Sequence, residues 1–176
     1  MRTQLISILL VAGGTAAADA PQKANPIEGS LKLMSTDFAD NGALPAAMTC
    51  DGAAKLPQLT WSGAPERTKS FAITVEDPDA PKGKFVHWVV TGIPANVTSI
   101  SGVPNGAVAG MNSNGDNGWQ APCPPAGAAH RYVFTVYALD TKLGDRDLTD
   151  ARLGTAANGH ILATGQLTAH YERKAQ

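Results

Sequence analysis

Charge is sparse in this sequence of 176 residues, and no part of it is strongly basic. Lysine and arginine total 14 and aspartate and glutamate total 15, so the formal net charge is −1 at pH 7. No cluster or stripe of basic side chains is present. Because domains that bind nucleic acids carry such a basic surface, we predict no nucleic-acid partner.

Short catalytic motifs are also missing. The chain has no G-x-S-x-G, no H-E-x-x-H and no glycine-rich phosphate loop that opens a helix. We therefore predict no cofactor and no catalytic residue. A hydrolase or isomerase that uses a histidine as general acid or base is kept as the alternative.

No apolar run is long enough to span a bilayer, but the N-terminus carries a short one. The run Leu5 to Ala12 follows a basic residue and precedes small residues, which is the layout of a cleaved secretory signal. We predict cleavage after Ala18, with Ala20 as the competing site. This gives a signal peptide at 1–18, a flexible segment at 19–29 and a periplasmic or secreted protein without a transmembrane anchor. A packed helix or a retained anchor is the alternative.

Cysteine is scarce, since Cys50 and Cys123 are the only two. In an oxidising compartment we expect one disulfide between them, which closes a long loop. Two free thiols are the alternative, and only a free Cys123 could act as a nucleophile.

Glycine and proline are frequent instead, with 18 and 12 residues, and no long stretch has helical periodicity. This pattern favours a mainly β domain of short strands joined by turns, over 30–173. One helix is predicted, with Thr149 as N-cap and Gly159 as C-cap. The predicted strands are Ser30–Phe38, Gln58–Gly63, Ser70–Glu76, Lys84–Ile93, His130–Asp140 and Ile161–Arg173.

Polar side chains near the starts of two apolar strands are the candidate site. Alternation along a strand puts His87 on one face with Phe85 and Val89, and His130 on one face with Tyr132. Asp77 lies in the D-P-D turn directly before the first of these strands. If the two strands are neighbours, the four polar residues converge on one pocket. Imidazolium and phenol groups donate hydrogen bonds to oxyanions, so a small anion suits such a pocket.

Each of these residues also has an ordinary structural interpretation. A single histidine in an apolar strand often bonds a backbone carbonyl, and Asp77 can accept from backbone N–H groups of its own turn. Asp79 is interpreted as a residue that holds the loop. Two histidines and a carboxylate are also a metal-ligand pattern, but we predict no metal.

Three segments taken together resemble one known family. "SFAITVEDPDAPKGKFVHWVVTGIPA", "APCPPAGAAHRYVFTVYALD" and "GHILATGQLTAHY" are similar to the prokaryotic branch of the phosphatidylethanolamine-binding proteins, also called Raf kinase inhibitor proteins. The resemblance runs from about Ser30 to Tyr171. It implies an antiparallel β-sandwich with one or two short helices and a small pocket that binds phosphate or phosphoryl head groups.

The resemblance also implies which residues bind the ligand. These are Asp77, His87, His130 and Tyr132, with Pro124 and Pro125 on the pocket-lining loop. The segment 105–121 departs from the eukaryotic members, because it is longer and richer in glycine and asparagine, and kinase regulation is not carried over.

The expected function is an exported binding protein that holds a small oxyanion or phosphorylated ligand without turnover. A secreted interaction module, such as a protease inhibitor, is an alternative from another class. A homodimer and an unidentified protein partner are left open by the sequence.

Overall fold

The computed structural model describes residues 29–144 and 148–175. The predicted signal peptide, 1–18, lies outside this range, and so does the predicted flexible segment except for Gly29. Within the described residues the strands are β1 (Gly29–Ser30), β2 (Lys32–Ser35), β3 (Gly42–Ala43), β4 (Leu59–Ser62), β5 (Ser70–Asp77), β6 (Phe85–Pro94), β7 (Ser99–Ile100), β8 (Val108–Ala109), β9 (Ala129–Leu139) and β10 (Ile161–Glu172). A 3-10 helix covers Ala46–Met48, and helix α1 covers Asp150–Ala156.

The strands form two sheets. The large sheet has the order β1, β10, β9, β5, β6, β8, with β3 also paired to β10, and the small sheet has the order β2, β4, β7. All pairs are antiparallel except those of β1 and β3, which run parallel to β10. The mainly β, sandwich-like fold with short helices is therefore confirmed.

Aromatic side chains fill the core between the sheets. Trp61 of the small sheet lies edge-on to Phe71 of the large sheet, with ring centroids 5.3 Å apart, and Phe38 packs on Phe134 at the same distance. Burying each such side chain stabilises the fold by about 1.5–3 kcal/mol. A second apolar cluster lies between the large sheet and α1, where Leu153 packs with other buried side chains.

The first predicted strand is interrupted rather than continuous. β1 belongs to the large sheet and β2 to the small one, and the chain changes sheets at Leu31, whose N–H donates to the carbonyl of Thr164 (2.8 Å). A Cβ atom at position 165 would lie 2.4 Å from the carbonyl oxygen of Leu31. Gly165 is therefore needed for the crossing chain to approach β10 so closely.

The predicted helix is present but short. Thr149 is its N-cap, and its hydroxyl accepts from the backbone N–H of Arg152 (3.3 Å). The helix ends at Ala156, so the prediction of Gly159 as the C-cap is wrong. Gly159 instead adopts φ of +79° in the turn that follows. No helix in the described part of the chain is long and apolar enough to cross a membrane.

The predicted disulfide is confirmed. Cys50 and Cys123 are bonded across a separation of 73 residues, with their Cα atoms 5.3 Å apart. The N–H of Cys50 also donates to the carbonyl of Pro122 (3.0 Å). The bond therefore joins the chain after the 3-10 helix to the loop that precedes β9.

Replacing both Cys50 and Cys123 with alanine should lower the free energy of unfolding by about 4 kcal/mol, because the unfolded chain loses its restriction over a long loop. Urea unfolding of the wild type and the double variant measures the difference. The wild type in a thiol reductant is the matched control and should unfold at the urea concentration of the variant. A difference below about 1 kcal/mol would contradict the expected role of the crosslink.

Candidate functional site

A pocket of about 250 Å³ lies where β5 ends and where β6 and β9 begin. Three segments form its wall: the turn after β5, the start of β6 and the loop before β9. Its polar lining residues are Asp77, His87, Asn114, Gln120 and His130, and its other lining residues are Ala80, Pro81, Phe85, Ala121, Cys123, Pro124 and Pro125.

The order of the strands explains this convergence. β5 pairs with β6 on one side and with β9 on the other, and both pairs are antiparallel. The condition that the two histidine strands be neighbours is not met, because β5 lies between them. In an antiparallel sheet the end of β5 adjoins the starts of both partners. Asp77, at the end of β5, consequently lies between His87 and His130.

A β-bulge sets the direction of His87. Val75 pairs with Trp88 and the next β5 residue, Glu76, pairs with Val86, so His87 is the extra residue of β6. Beyond the bulge Trp88 packs in the core between the sheets, while Val89 packs in the cluster beneath α1. The prediction that His87 shares a face with Val89 is therefore wrong. Bulges redirect side chains in this way.

Asp77 holds one nitrogen of His130. The distance between His130 Nδ1 and Asp77 Oδ2 is 2.7 Å, and Asp77 Oδ1 accepts from the backbone N–H of Asp79 at 2.8 Å. Both side chains are buried, with residue exposures of 4% each. Because an ionised carboxylate only accepts hydrogen bonds, Nδ1 carries the proton and Nε2 is left for another partner.

His87 is held by the main chain of the long loop. Its Nδ1–H donates to the carbonyl of Gln120 (2.7 Å), and the N–H of Gln120 donates to the carbonyl of His87 (2.8 Å). Its Nε2 is buried without a hydrogen-bond partner. Burial lowers the pKa of His87, and the charge of His130 acts in the same direction, while the Gln120 bond and Asp77 oppose it. Neutral His87 therefore presents Nε2 as an acceptor.

Tyr132 lies beneath His87. It is completely buried, its ring is edge-on to the His87 ring at 5.3 Å, and its hydroxyl has no hydrogen-bond partner. Burial raises the pKa of Tyr132 well above its usual value, and the charge of Asp77 adds to this effect. The phenol therefore keeps its proton, but Tyr132 is not among the residues that line the pocket, so three of the four predicted polar residues meet there.

Asp79 pins the turn after β5 to the start of β9. Its carboxylate accepts from the backbone N–H of Arg131 (2.9 Å), from Nε (2.8 Å) and from Nη2 (2.7 Å). The hydrogen bonds from the Arg131 side chain are the main reason why the pKa of Asp79 is lowered to about 2. This arrangement agrees with the interpretation of Asp79 as a residue that holds the loop.

The proline loop forms the opposite wall. The predicted residues Pro124 and Pro125 both line the pocket, next to disulfide-bonded Cys123. The proline rings restrict the backbone of this wall, the disulfide ties it to Cys50, and the N–H of Gln120 ties it to the carbonyl of His87 on β6.

Sequence analysis missed Asn114 and Gln120. Asn114 Nδ2 donates to Gln120 Oε1 (3.1 Å), so two carboxamides meet at the pocket. The turn around them is organised by Asn112, whose Oδ1 accepts from the N–H groups of Asn114 and Asp116. The asparagine-rich composition of this segment was the available signal, since asparagine side chains commonly stabilise turns in this way.

Asp77, His87 and His130 are also the residue types of a metal-ligand pattern. Among the described residues, no group of three or more histidine, cysteine, aspartate or glutamate side chains is placed to hold a metal ion. Both oxygens of Asp77 and the Nδ1 atoms of both histidines are occupied by protein partners.

Comparison with known proteins identifies the family to which the sequence is similar. The sequence model of the phosphatidylethanolamine-binding protein family matches residues 34–172. A UPF0098 protein of Methanothermobacter thermautotrophicus is 38% identical over 151 residues, which cover 81% of this chain and 99% of that protein. The UPF0098 protein YbcL of Escherichia coli is 44% identical over 138 residues, which cover 71% of this chain and 75% of that protein.

Two solved structures of the same family are similar to this chain in fold and in sequence. The crystal structure of a phosphatidylethanolamine-binding protein homologue from Chlamydia trachomatis has a TM-score of 0.77 at 37% identity, covering 82% of this chain and 99% of that one. The crystal structure of Escherichia coli YbcL, described as a member of the mammalian PEBP family, has a TM-score of 0.77 at 39% identity, with the same coverage.

The burial of His87 predicts a pH-dependent stability. Below about pH 6.5 the unfolded chain binds a proton at His87 that the folded chain does not bind, because its folded pKa is lowered. The free energy of unfolding should therefore fall as the pH decreases from about 6.5, by up to about 1.4 kcal/mol per pH unit, until the folded pKa is reached. Urea unfolding between pH 7.5 and 5, at about half-unit steps, measures this slope.

The variant His87→Phe should have a shallower slope than the wild type over the same range. His160→Phe removes a histidine elsewhere and serves as the control for the change in histidine number. Equal slopes for the wild type and His87→Phe would contradict a neutral, buried His87.

Proposed function

The chain belongs to the phosphatidylethanolamine-binding protein family, and from that premise we propose that it is an exported binding protein for a small oxyanion or phosphorylated ligand. The ligand binds in the pocket beside Asp77, His87 and His130 and is not turned over. The observation that carries this proposal is the 2.7 Å bond between Asp77 and His130, two buried side chains on the wall of the pocket. It leaves Nε2 of His130 to donate to a ligand oxygen when the ring is protonated.

The size and chemistry of the pocket support a small ligand. About 250 Å³ is below the usual range for drug-sized ligands but accommodates a phosphoryl group with a small substituent. The proline and phenylalanine side chains of the wall place apolar surface beside the polar groups. A charge-assisted hydrogen bond is stronger when water is excluded.

Export is supported by two independent features. The sequence pattern of 1–18 is that of a cleaved secretory signal. The Cys50–Cys123 disulfide, whose two residues are both exposed, is the kind of bond that persists in an oxidising compartment. The intact mass of the protein recovered from its host should correspond to a chain that begins at Asp19 with one disulfide.

A hydrolase is the second candidate, because an aspartate bonded to a histidine is also the geometry that orients a general base. The described residues that line the pocket include no serine or threonine, and Cys123 is disulfide-bonded. A nucleophile would therefore have to be a water molecule, and a binding role needs no such addition.

Phosphate should stabilise the wild type, because a ligand that binds only the folded chain raises its free energy of unfolding. The expected increase is about 2.7 kcal/mol when phosphate is present at about 100 times its Kd. Thermal unfolding over a phosphate titration measures the increase. His130→Ala and His87→Ala should each abolish it, since each removes a group from the pocket wall.

His160→Ala is the matched control for this titration. His160 Nδ1 bonds Asp140 Oδ1 at 2.7 Å, the same type of pair, but Asp140 follows the far end of β9. This variant should keep the full phosphate effect. An undiminished effect in His130→Ala would place the anion elsewhere, and release of product from a phosphoester by wild type but not by His130→Ala would establish the hydrolase instead.

A further inference from the structure

The charges on the pocket wall limit the charge of the ligand that it can take. The described lining residues include one carboxylate, Asp77, the imidazoles of His87 and His130, two carboxamides, and no lysine or arginine. Arg131 is adjacent to His130 in sequence, but its guanidinium is bonded to Asp79. Positive charge at the wall must therefore come from a histidine.

His87 is poorly placed to supply that charge. Its Nε2 is buried and has no acceptor, so a proton there would be an unsatisfied buried charge. Its Nδ1–H is already used by the carbonyl of Gln120.

His130 is the better placed of the two imidazoles. When protonated, His130 donates through Nδ1 to Asp77 and through Nε2 to a ligand oxygen. The imidazolium ring therefore lies between two negatively charged groups. Without that proton the wall carries the single negative charge of Asp77 and repels an anion. With it the wall is neutral, so a monoanion brings one negative charge to the pocket and a dianion brings two.

This inference rests on the proposed function. We propose that the pocket binds its oxyanion as a monoanion, together with one proton that His130 takes from water at Nε2. No bond of the ligand is made or broken in this step. A dianion would bring a second negative charge to a wall that has no lysine or arginine to match it, which is costly. The ligand class is therefore a phosphodiester, a singly protonated phosphomonoester or a carboxylate.

The other groups around His130 do not change this charge balance. Asp79 and Arg131 neutralise each other, and Tyr132 keeps its proton. Tyr171, directly opposite His130 on β10, donates its hydroxyl to Asp51. The remaining groups near His130 within the pocket are Asp77 and His87. Glu172 and Arg173 follow Tyr171 on the outside of the pocket, and Arg173 is bonded to Asp51.

Calorimetric titration with two probes tests the proposal on the full, disulfide-bonded protein. Dimethyl phosphate is a monoanion at every pH used, whereas methyl phosphate becomes a dianion above about pH 6. Between about pH 5.5 and 8.5, in two buffers of different ionisation enthalpy, the number of protons taken up when dimethyl phosphate binds should rise with pH to about one at the basic end. Its affinity should fall about tenfold per pH unit at the basic end. Methyl phosphate should lose about a hundredfold per unit there, because the ligand and His130 must both be protonated.

Two variants locate the proton. His130→Gln cannot take up the proton, so it should bind dimethyl phosphate much more weakly than the wild type does at acidic pH, and any binding that remains should show neither proton uptake nor the pH slope. His160→Gln should behave as the wild type. The central measurement is made on the wild type, so it stands even if His130→Gln fails to fold.

Three results would count against the proposal. Dimethyl phosphate binding that takes up no proton even at the basic end of the pH range would overturn it. Tighter binding of methyl phosphate than of dimethyl phosphate at pH 8 would also overturn it. Both leave the proposed function standing, since the pocket still binds an oxyanion. Failure of both probes and of inorganic phosphate to bind at any pH overturns the proposed function and this inference together.

Discussion

The pairing of β5 with antiparallel neighbours on both sides is the constraint on which the site depends. Main-chain hydrogen bonds to β6 and β9 fix the end of β5 against the starts of both partners. A side chain at that point, Asp77, then reaches a residue 53 positions later in the chain, His130. The sheet thus supplies the rigid support that holds the aspartate and histidine at bonding distance, and the loops only complete the wall.

Long regular strands and paired polar residues could be predicted from the sequence. The strands around Ser70–Glu76, Lys84–Ile93, His130–Asp140 and Ile161–Arg173 agree with the structure to within one or two residues, because side-chain alternation is a local property of the chain. The disulfide followed from having only two cysteines. Asp77, His87 and His130 could be grouped because each lies next to a strand end, where loops and strands meet.

The remaining features depend on contacts between distant parts of the chain. The change of sheet at Leu31 requires Gly165, and no pattern around Leu31 reports what lies beside it. The bulge at His87 breaks the two-residue period that the face assignment assumed, so Val89 was placed on the wrong face. Gln120 acts through its carbonyl and N–H, which every residue except proline has, so its side-chain type carried no signal.

Gln120 contributes to the pocket in two separate ways, through its backbone and through its side chain. The backbone of Gln120 orients His87, while the side chain of the same residue meets Asn114 on the pocket wall. Substitution at position 120 can therefore change the shape and polarity that a ligand meets while the histidine keeps its orientation. Under the proposed function, a change of ligand preference therefore needs only a new side chain at position 120 and leaves the Asp77–His130 pair intact.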